Sequence, residues 1–220
     1  MYGQEICNFF DKLPCAKNFK GISAADRIPD LRQWEEAAVI VNTQVKVGEY
    51  GHWLALYYQN GALEFFDSFG RHFSAFPYIS DYVKEFPDVV TNNIQFQSEN
   101  SEVCALYCIF YNLWRYLKYD KSYILRRLLN LGKDRDQHLL HLYTKFNEVF
   151  DKLETTNEKI LKCKICYDAL MDLKDNYIKD NYDSRIKDVL CDVFVEVMYT
   201  KLSSSTNCLE WDNFLENVKY

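Results

Sequence analysis

The chain has 220 residues, 48% of them hydrophobic and 16% aromatic, and a net charge of −6. That length fits one domain with an appendage or two small domains, with room for a real core, which excludes a disordered polymer. The acidic balance argues against DNA as a partner, because neutralising phosphates takes surplus Lys and Arg.

The first residues, MYGQEICNFFDKLP, contain no basic region followed by an apolar one, so no secretory signal is expected. Residues 1–18 read as a leader or capping segment. Ala37–Thr43 is β-branched and apolar and predicts a buried strand. His52–Gln59 and Ala62–Ser68 flank Asn60-Gly61, a strong hairpin signal, because a type I′ turn needs positive φ at both positions. Asn93–Gln97 predicts a further short strand. Val103–Leu117 lacks Pro and Gly and predicts a helix whose first half is apolar all round, hence central and buried. Within it lies the longest apolar run, Val103–Tyr111, far short of the about 20 residues a bilayer requires. The expectation is a soluble intracellular chain, not secreted and with no membrane partner, whose eight cysteines are mostly reduced.

From Ser122 the pattern turns helical. Ile160, Cys163, Tyr167, Leu170 and Tyr177 predict one amphipathic helix, and Ile186, Val189, Val193 and Val197 another. Asn181–Ser184 is the expected break between them, and Ser203–Asn207 the expected end of the second. The reading is a leader at 1–18, a core domain at 19–150 and a helical extension at 151–220.

The hairpin has a chemical consequence. With a two-residue loop, Gln59 faces Ala62, Leu54 faces Asp67 and His52 faces Phe69. His52 and Asp67 then lie diagonally on one sheet face, Cα atoms about 7–8 Å apart, close enough for the carboxylate to accept the imidazole Nδ1 proton. Leu54, Leu56, Tyr58, Leu63 and Phe65 share that face; Trp53, Ala55, Tyr57 and Phe66 take the other, so both faces should be covered. The pair reads either as a satisfied structural ion pair or as an oriented general base. Cys104 falls in the first turn of the predicted helix, where free N–H groups and the dipole lower a thiol pKa. A neighbouring imidazolium would make the thiolate available at neutral pH. The Cys104 amide can face an oxyanion, and the Gln97 side-chain NH2 can supply a second donor. Taken singly, Cys104 reads as a small buried hydrophobe and Gln97 as an ordinary loop residue; Cys108, one turn on, is read as core.

In order, His52-Trp53, Phe65-Phe66-Asp67-Ser68-Phe69-Gly70, Gln97, Ser101, Cys104-Ala105 and Tyr107-Cys108 form a set. Ile40-Val41-Asn42-Thr43 precedes it, with Phe19-Lys20-Gly21-Ile22, Asp26 and Ile28-Pro29 upstream. Over roughly residues 19–130 this set resembles the adenovirus-type (adenain-like) cysteine endopeptidases. These belong with the ubiquitin-like-protein-specific proteases. The likeness is nearest to those of Maverick/Polinton-type elements and related large DNA viruses. The resemblance implies an α+β, papain-like fold: a central mixed β-sheet covered by helices, with the nucleophile at the N-terminus of a buried central helix. It implies Cys104 as nucleophile, His52 as general base and acid, and Asp67 as its orienter. Gln97 completes the oxyanion hole, and Trp53 walls the substrate groove or packs under the histidine. The family cleaves glycine-containing sites through a narrow tunnel and matures viral capsid precursors. The implied partner is therefore a viral precursor polypeptide, met in the virion or in the host nucleus or cytoplasm.

Two departures stand out. The family has Gly after the nucleophile and this chain has Ala105, which matters if that glycine needs positive φ or close substrate approach. Adenain is basic and uses DNA and a peptide as cofactors. No cofactor is required by this sequence itself; an activating peptide carries over as a candidate, and DNA does not.

In the last third, Cys163-Lys164-Ile165-Cys166 is a CxxC. A zinc site would need Cys191 and Cys208 as the second pair, but their spacing is not that of a ligand knuckle. A saposin-like disulfide module would need an oxidising compartment, so buried core cysteines are the default and no metal is expected. His138 and His141 are read as packing or surface residues, and the 155–200 helices as cover for the sheet or as a partner or dimer contact. The expectation is thus a cysteine endopeptidase with a Cys-His-Asp set. Its rivals are an inactive protease fold serving as a virion structural or interaction protein, and an isopeptidase acting on ubiquitin-like modifiers.

Overall fold

Asn60 and Gly61 both take positive φ, 53° and 84°, the pair of left-handed conformations a two-residue type I′ turn demands. The turn joins β3 (Trp53–Gln59) to β4 (Ala62–Phe66) with Gln59 opposite Ala62 and Ala55 opposite Phe66, the register expected from the sequence. The ladder stops there, so His52 and Asp67 lie just beyond the paired ends rather than inside them. The computed structural model describes residues 3–13, 16–45, 51–177 and 184–203. The described residues of Met1–Asp11 and Ala16–Ile124 make one compact unit, and those of Lys12–Cys15 and Leu125–Tyr220 a second.

In the first unit, β1 (Phe19–Ala24), β2 (Glu36–Asn42), β3, β4 and β5 (Asp88–Thr91) form one sheet in that order. The outer pairs are parallel and the two inner ones antiparallel, so the sheet is mixed. With seven α-helices among the described residues, the chain is α+β. β2 is the strand expected at Ala37–Thr43. The expected strand Asn93–Gln97 does not form. The Phe96 and Gln97 N–H groups both converge on the Ser68 carbonyl, at 2.8 and 3.0 Å, a pattern no ladder contains. The fifth strand comes instead from Asp88–Thr91, which the sequence reading passed over.

One sheet face buries Val39, Val41, Leu54, Leu56, Leu63 and Phe65 against Ile79 and Val83 of α2 (Pro77–Val83). The other face meets α3 (Cys104–Tyr116), every residue of which is buried. Phe66 stacks on Tyr111 at 4.4 Å, and the Arg115 guanidinium lies 4.2 Å from the Tyr57 ring centroid while pairing with Glu64 at 3.2 Å. Both faces are thus covered, as their apolar patterns require. Within residues 1–18, α1 (Gly3–Asp11) buries Ile6, Phe9 and Phe10, with Phe10 packed on Phe19.

The unit division falls within α4 (Lys121–Asn130), and the expected boundary at 150/151 lies inside α5 (Arg135–Glu154). The second unit continues with α6 (Lys159–Asp172), a π-helical turn (Leu173–Tyr177) and α7 (Ser184–Ser203). Phe146 stacks on Phe194 at 5.4 Å and on Phe150 at 5.8 Å, and Leu170, Val193 and Val197 are buried in the same unit. The side chains of Ile160, Cys163 and Tyr177, the expected break at 181–183, the end at 204–207 and Cys208 lie outside the described residues. No helix among the described residues is long and apolar enough to cross a membrane.

A Cβ added at Gly61 meets nothing within 4 Å. Gly61→Ala should therefore cost only the left-handed backbone penalty of about 1–2 kcal/mol. The expected result is a modestly lowered urea midpoint with an unchanged circular-dichroism spectrum.

Candidate active site

His52 enters the sheet on a clamp. Its N–H donates to Thr43 Oγ1 at 3.1 Å, and its carbonyl accepts from the Thr43 N–H at 2.9 Å. Gly51 gives the chain room: a Cβ there would stand 2.1 Å from Asn42 Oδ1, the oxygen that caps the Gln44 N–H. The imidazole lies near the rings of Phe69 and Phe76, 5.1 and 6.4 Å between centroids. Its Nε2, not the expected Nδ1, meets Asp67 Oδ1 at 2.6 Å. The strands do not carry the ring to a laddered pair position, so its orientation is set by these side chains. Nδ1 is left as the ring nitrogen for other chemistry.

Asp67 has no solvent exposure. Its carboxylate accepts from His52, from the Phe69 N–H at 3.0 Å, and from the Arg71 N–H and Nε at 3.2 and 2.8 Å. Arg71 lies over the Phe69 and Phe76 rings, at 5.0 and 4.8 Å. Asn92 brackets the Asp67 backbone, Oδ1 accepting its N–H at 2.9 Å and Nδ2 donating to its carbonyl at 2.7 Å. Burial alone would push the Asp67 carboxyl up; His52, Arg71 and the Phe69 amide outweigh it and hold the group below the ordinary aspartate value.

Cys104 is the first residue of α3, behind Val103, which makes no side-chain cap. It is 8% exposed and lies close enough to His52 for each group to shift the other's titration. Burial would raise its pKa, but His52, aided by backbone hydrogen bonds at Trp53 and Ala105, brings it below the ordinary thiol value. For His52 the balance runs the other way. Burial lowers it, yet Asp67 and Cys104 hold it above the ordinary histidine value. The two shifts together favour a thiolate beside an imidazolium. Cys108, wholly buried, is pushed far up, which suits the core role expected of it.

Gln97 is buried, its Oε1 accepting from Ser68 Oγ at 2.7 Å and its Nε2 donating to the Ser101 carbonyl at 2.6 Å. An amide nitrogen carries two hydrogens, so one remains for a ligand. Gly70 sets the path of this segment. Its φ is 69°, and a Cβ there would lie 2.6 Å from the Ile94 carbonyl carbon. Ala105 is buried at the second position of α3 and is not among the positive-φ residues, so the helix itself asks for no glycine there. Trp53 is 9% exposed, and a side chain at Gly3 would come within 3.5 Å of its ring.

The structure thus brings His52, Asp67 and Cys104 together, with Gln97 tied to the residue after Asp67. Sequence reasoning missed Arg71, Asn92 and the Ser68 hydroxyl as partners. Arg71, four residues after Asp67 and just past Gly70, offered a faint signal; Asn92 offered none. Among the described residues no group of three or more His, Cys, Asp or Glu could hold a metal. Cys7, Cys104, Cys108 and Cys191 are free thiols. Cys191 is pushed up to about 11, by burial first. The zinc and disulfide arrangements for the last four cysteines fall partly outside the described residues, at Cys163 and Cys208. No protein-family model matches the chain, and a search of curated proteins finds no significant match.

Two outcomes follow. Alkylation of Cys104 by iodoacetamide, read by peptide mass, should reach half its maximal rate below the free-thiol pKa of about 8.5, and His52→Ala should move that midpoint up. Gly70→Ala, which meets backbone as well as a left-handed φ, should lower the urea midpoint by more than Gly61→Ala does.

Proposed function

We propose that the chain is a cysteine endopeptidase of the adenain type, acting on glycine-containing sites in polypeptides, with viral precursor proteins as the implied substrates. The observation that carries this reading is the Cys104–His52–Asp67 contact. A thiol at an uncapped helix start is partnered with an imidazole, and the imidazole is bonded at 2.6 Å to a fully buried carboxylate. Separately, each residue has an ordinary structural explanation. Their convergence, with opposite pKa shifts on sulfur and ring, is what a nucleophile–base pair needs.

The chemistry then runs in two steps. The Cys104 thiolate attacks the scissile carbonyl carbon, and the developing oxyanion takes hydrogen bonds from the Cys104 amide and the remaining Gln97 Nε2 hydrogen. The His52 imidazolium gives its proton to the leaving amine, and the thioester forms. Neutral His52 then removes a proton from water as the water oxygen attacks the thioester. Collapse releases the acid, and the thiolate regains its imidazolium partner. Asp67 stays ionised throughout, fixing the ring and stabilising its positive charge. The glycine preference fits the family resemblance, and a buried nucleophile suits small residues flanking the cut.

The test is turnover of a glycine-rich peptide panel, run beside Gly-Gly modifier probes. Peptide cleavage abolished by Cys104→Ala supports the endopeptidase. Equal cleavage by both proteins removes the nucleophile; reaction with the modifier probes alone favours the isopeptidase, and Cys104 alkylation no faster than a free thiol favours the inactive fold. Asp67→Asn should lower kcat by about 10²–10⁴ and shift the alkaline limb of the pH–rate profile, set by loss of the imidazolium proton, downward. The direction follows from losing the charge that holds the imidazolium, and with it the thiolate.

A further inference from the structure

We infer that Ser68 is a positioning residue for the oxyanion hole: its hydroxyl, acting with the accept-only Ser101 carbonyl, holds the Gln97 amide with nitrogen, not oxygen, toward the reacting carbonyl. The inference rests on the endopeptidase reading and extends it to a residue with no role there. A glutamine amide is nearly symmetric in shape, and its flipped form would present a lone pair to an oxyanion, turning stabilisation into repulsion. Something must choose between the two forms. The chain supplies a donor and an acceptor on opposite sides of the amide. Ser68 Oγ donates to Gln97 Oε1 at 2.7 Å, and the Ser101 carbonyl accepts from Nε2 at 2.6 Å. A flip would set Oε1 against the Ser101 carbonyl oxygen, acceptor against acceptor. The Ser68 carbonyl also receives the Gln97 and Phe96 N–H groups, at 3.0 and 2.8 Å, so one residue fixes both the backbone and the side chain of Gln97. Ser68 and Gln97 are both buried, where a polar contact is little diluted by water. Ser68 follows Asp67 directly, so a single dipeptide orients the base through one residue and the oxyanion donor through the next.

The experiment separates the two halves of the chemistry. Iodoacetamide alkylation of Cys104 is a displacement that creates no oxyanion. Acylation by p-nitrophenyl acetate, read as the burst of p-nitrophenolate, creates one and does not depend on knowing the peptide substrate. Ser68→Ala should slow acylation about tenfold or more while leaving alkylation within about twofold. In a Gln97→Ala background, Ser68→Ala should slow acylation no further, a non-additivity that a general loss of packing would not produce. Should Ser68→Ala not fold, Ser68→Cys keeps the volume with a weak donor and should show the same split. Unchanged acylation, a parallel fall in both rates, or additive losses in the double variant would overturn the role of Ser68 and leave the endopeptidase reading standing. Absence of both selective alkylation and an acylation burst in the wild type would overturn the two together.

Discussion

An ionised carboxylate with no access to water is unfavourable unless every lone pair finds a donor, and Asp67 is built around that requirement. His52, the Phe69 amide and Arg71 converge on its oxygens, and Asn92 grips its backbone from the start of the next loop. The charge so held then does work on its neighbour. Burial lowers the His52 pKa; Asp67, together with Cys104, raises it above the ordinary histidine value, and His52 in turn brings down the pKa of Cys104. A sequence of two electrostatic dependences therefore begins at one residue just past the end of β4.

The same turn serves a second purpose. Ser68 receives the chain that returns after β5, and Gly70 lets the Ile94 backbone pass closer than any side chain would allow. The packing of two irregular segments, with no ladder between them, decides where Gln97 stands. Sheet and helix supply the rigid frame, with β3 and β4 fixing one side and the buried start of α3 the other. The intervening turns do the fine placement, a division common to sites carried on loops over a scaffold.

That division also explains what could be read beforehand. Asn60-Gly61 signals its turn through backbone sterics alone, and the register followed from it. The apolar run at Val103–Leu117 signals a buried helix by composition, and α3 is that helix to within a residue at either end. The proximity of His52 and Asp67 came out of the register, but the ring nitrogen did not, because it depends on Phe69 and Phe76 beside the imidazole and on Arg71 fixing the Asp67 carboxylate. Asn92 and Arg71 were missed for a related reason: a side chain bonding to distant backbone, or to a turn, leaves no periodicity to detect. Asn93–Gln97 looked like a strand because Ile94 and Phe96 alternate with polar residues, yet the Phe96 and Gln97 N–H groups go to a single carbonyl. Asp88–Thr91 is too short to stand out from its surroundings.

The two-residue link at Asn60-Gly61 couples the length of the hairpin to the chemistry at its open end. Side chains in a strand alternate between faces with a period of two, so one inserted or deleted residue in either arm would turn Asp67 to the face opposite His52 while leaving the hairpin able to form. The arms can change composition freely wherever the core tolerates it, but not their residue count. The distance in sequence between imidazole and carboxylate is thus a fixed spacer, and a chain in which it differs by one would need a bulge to restore the pairing.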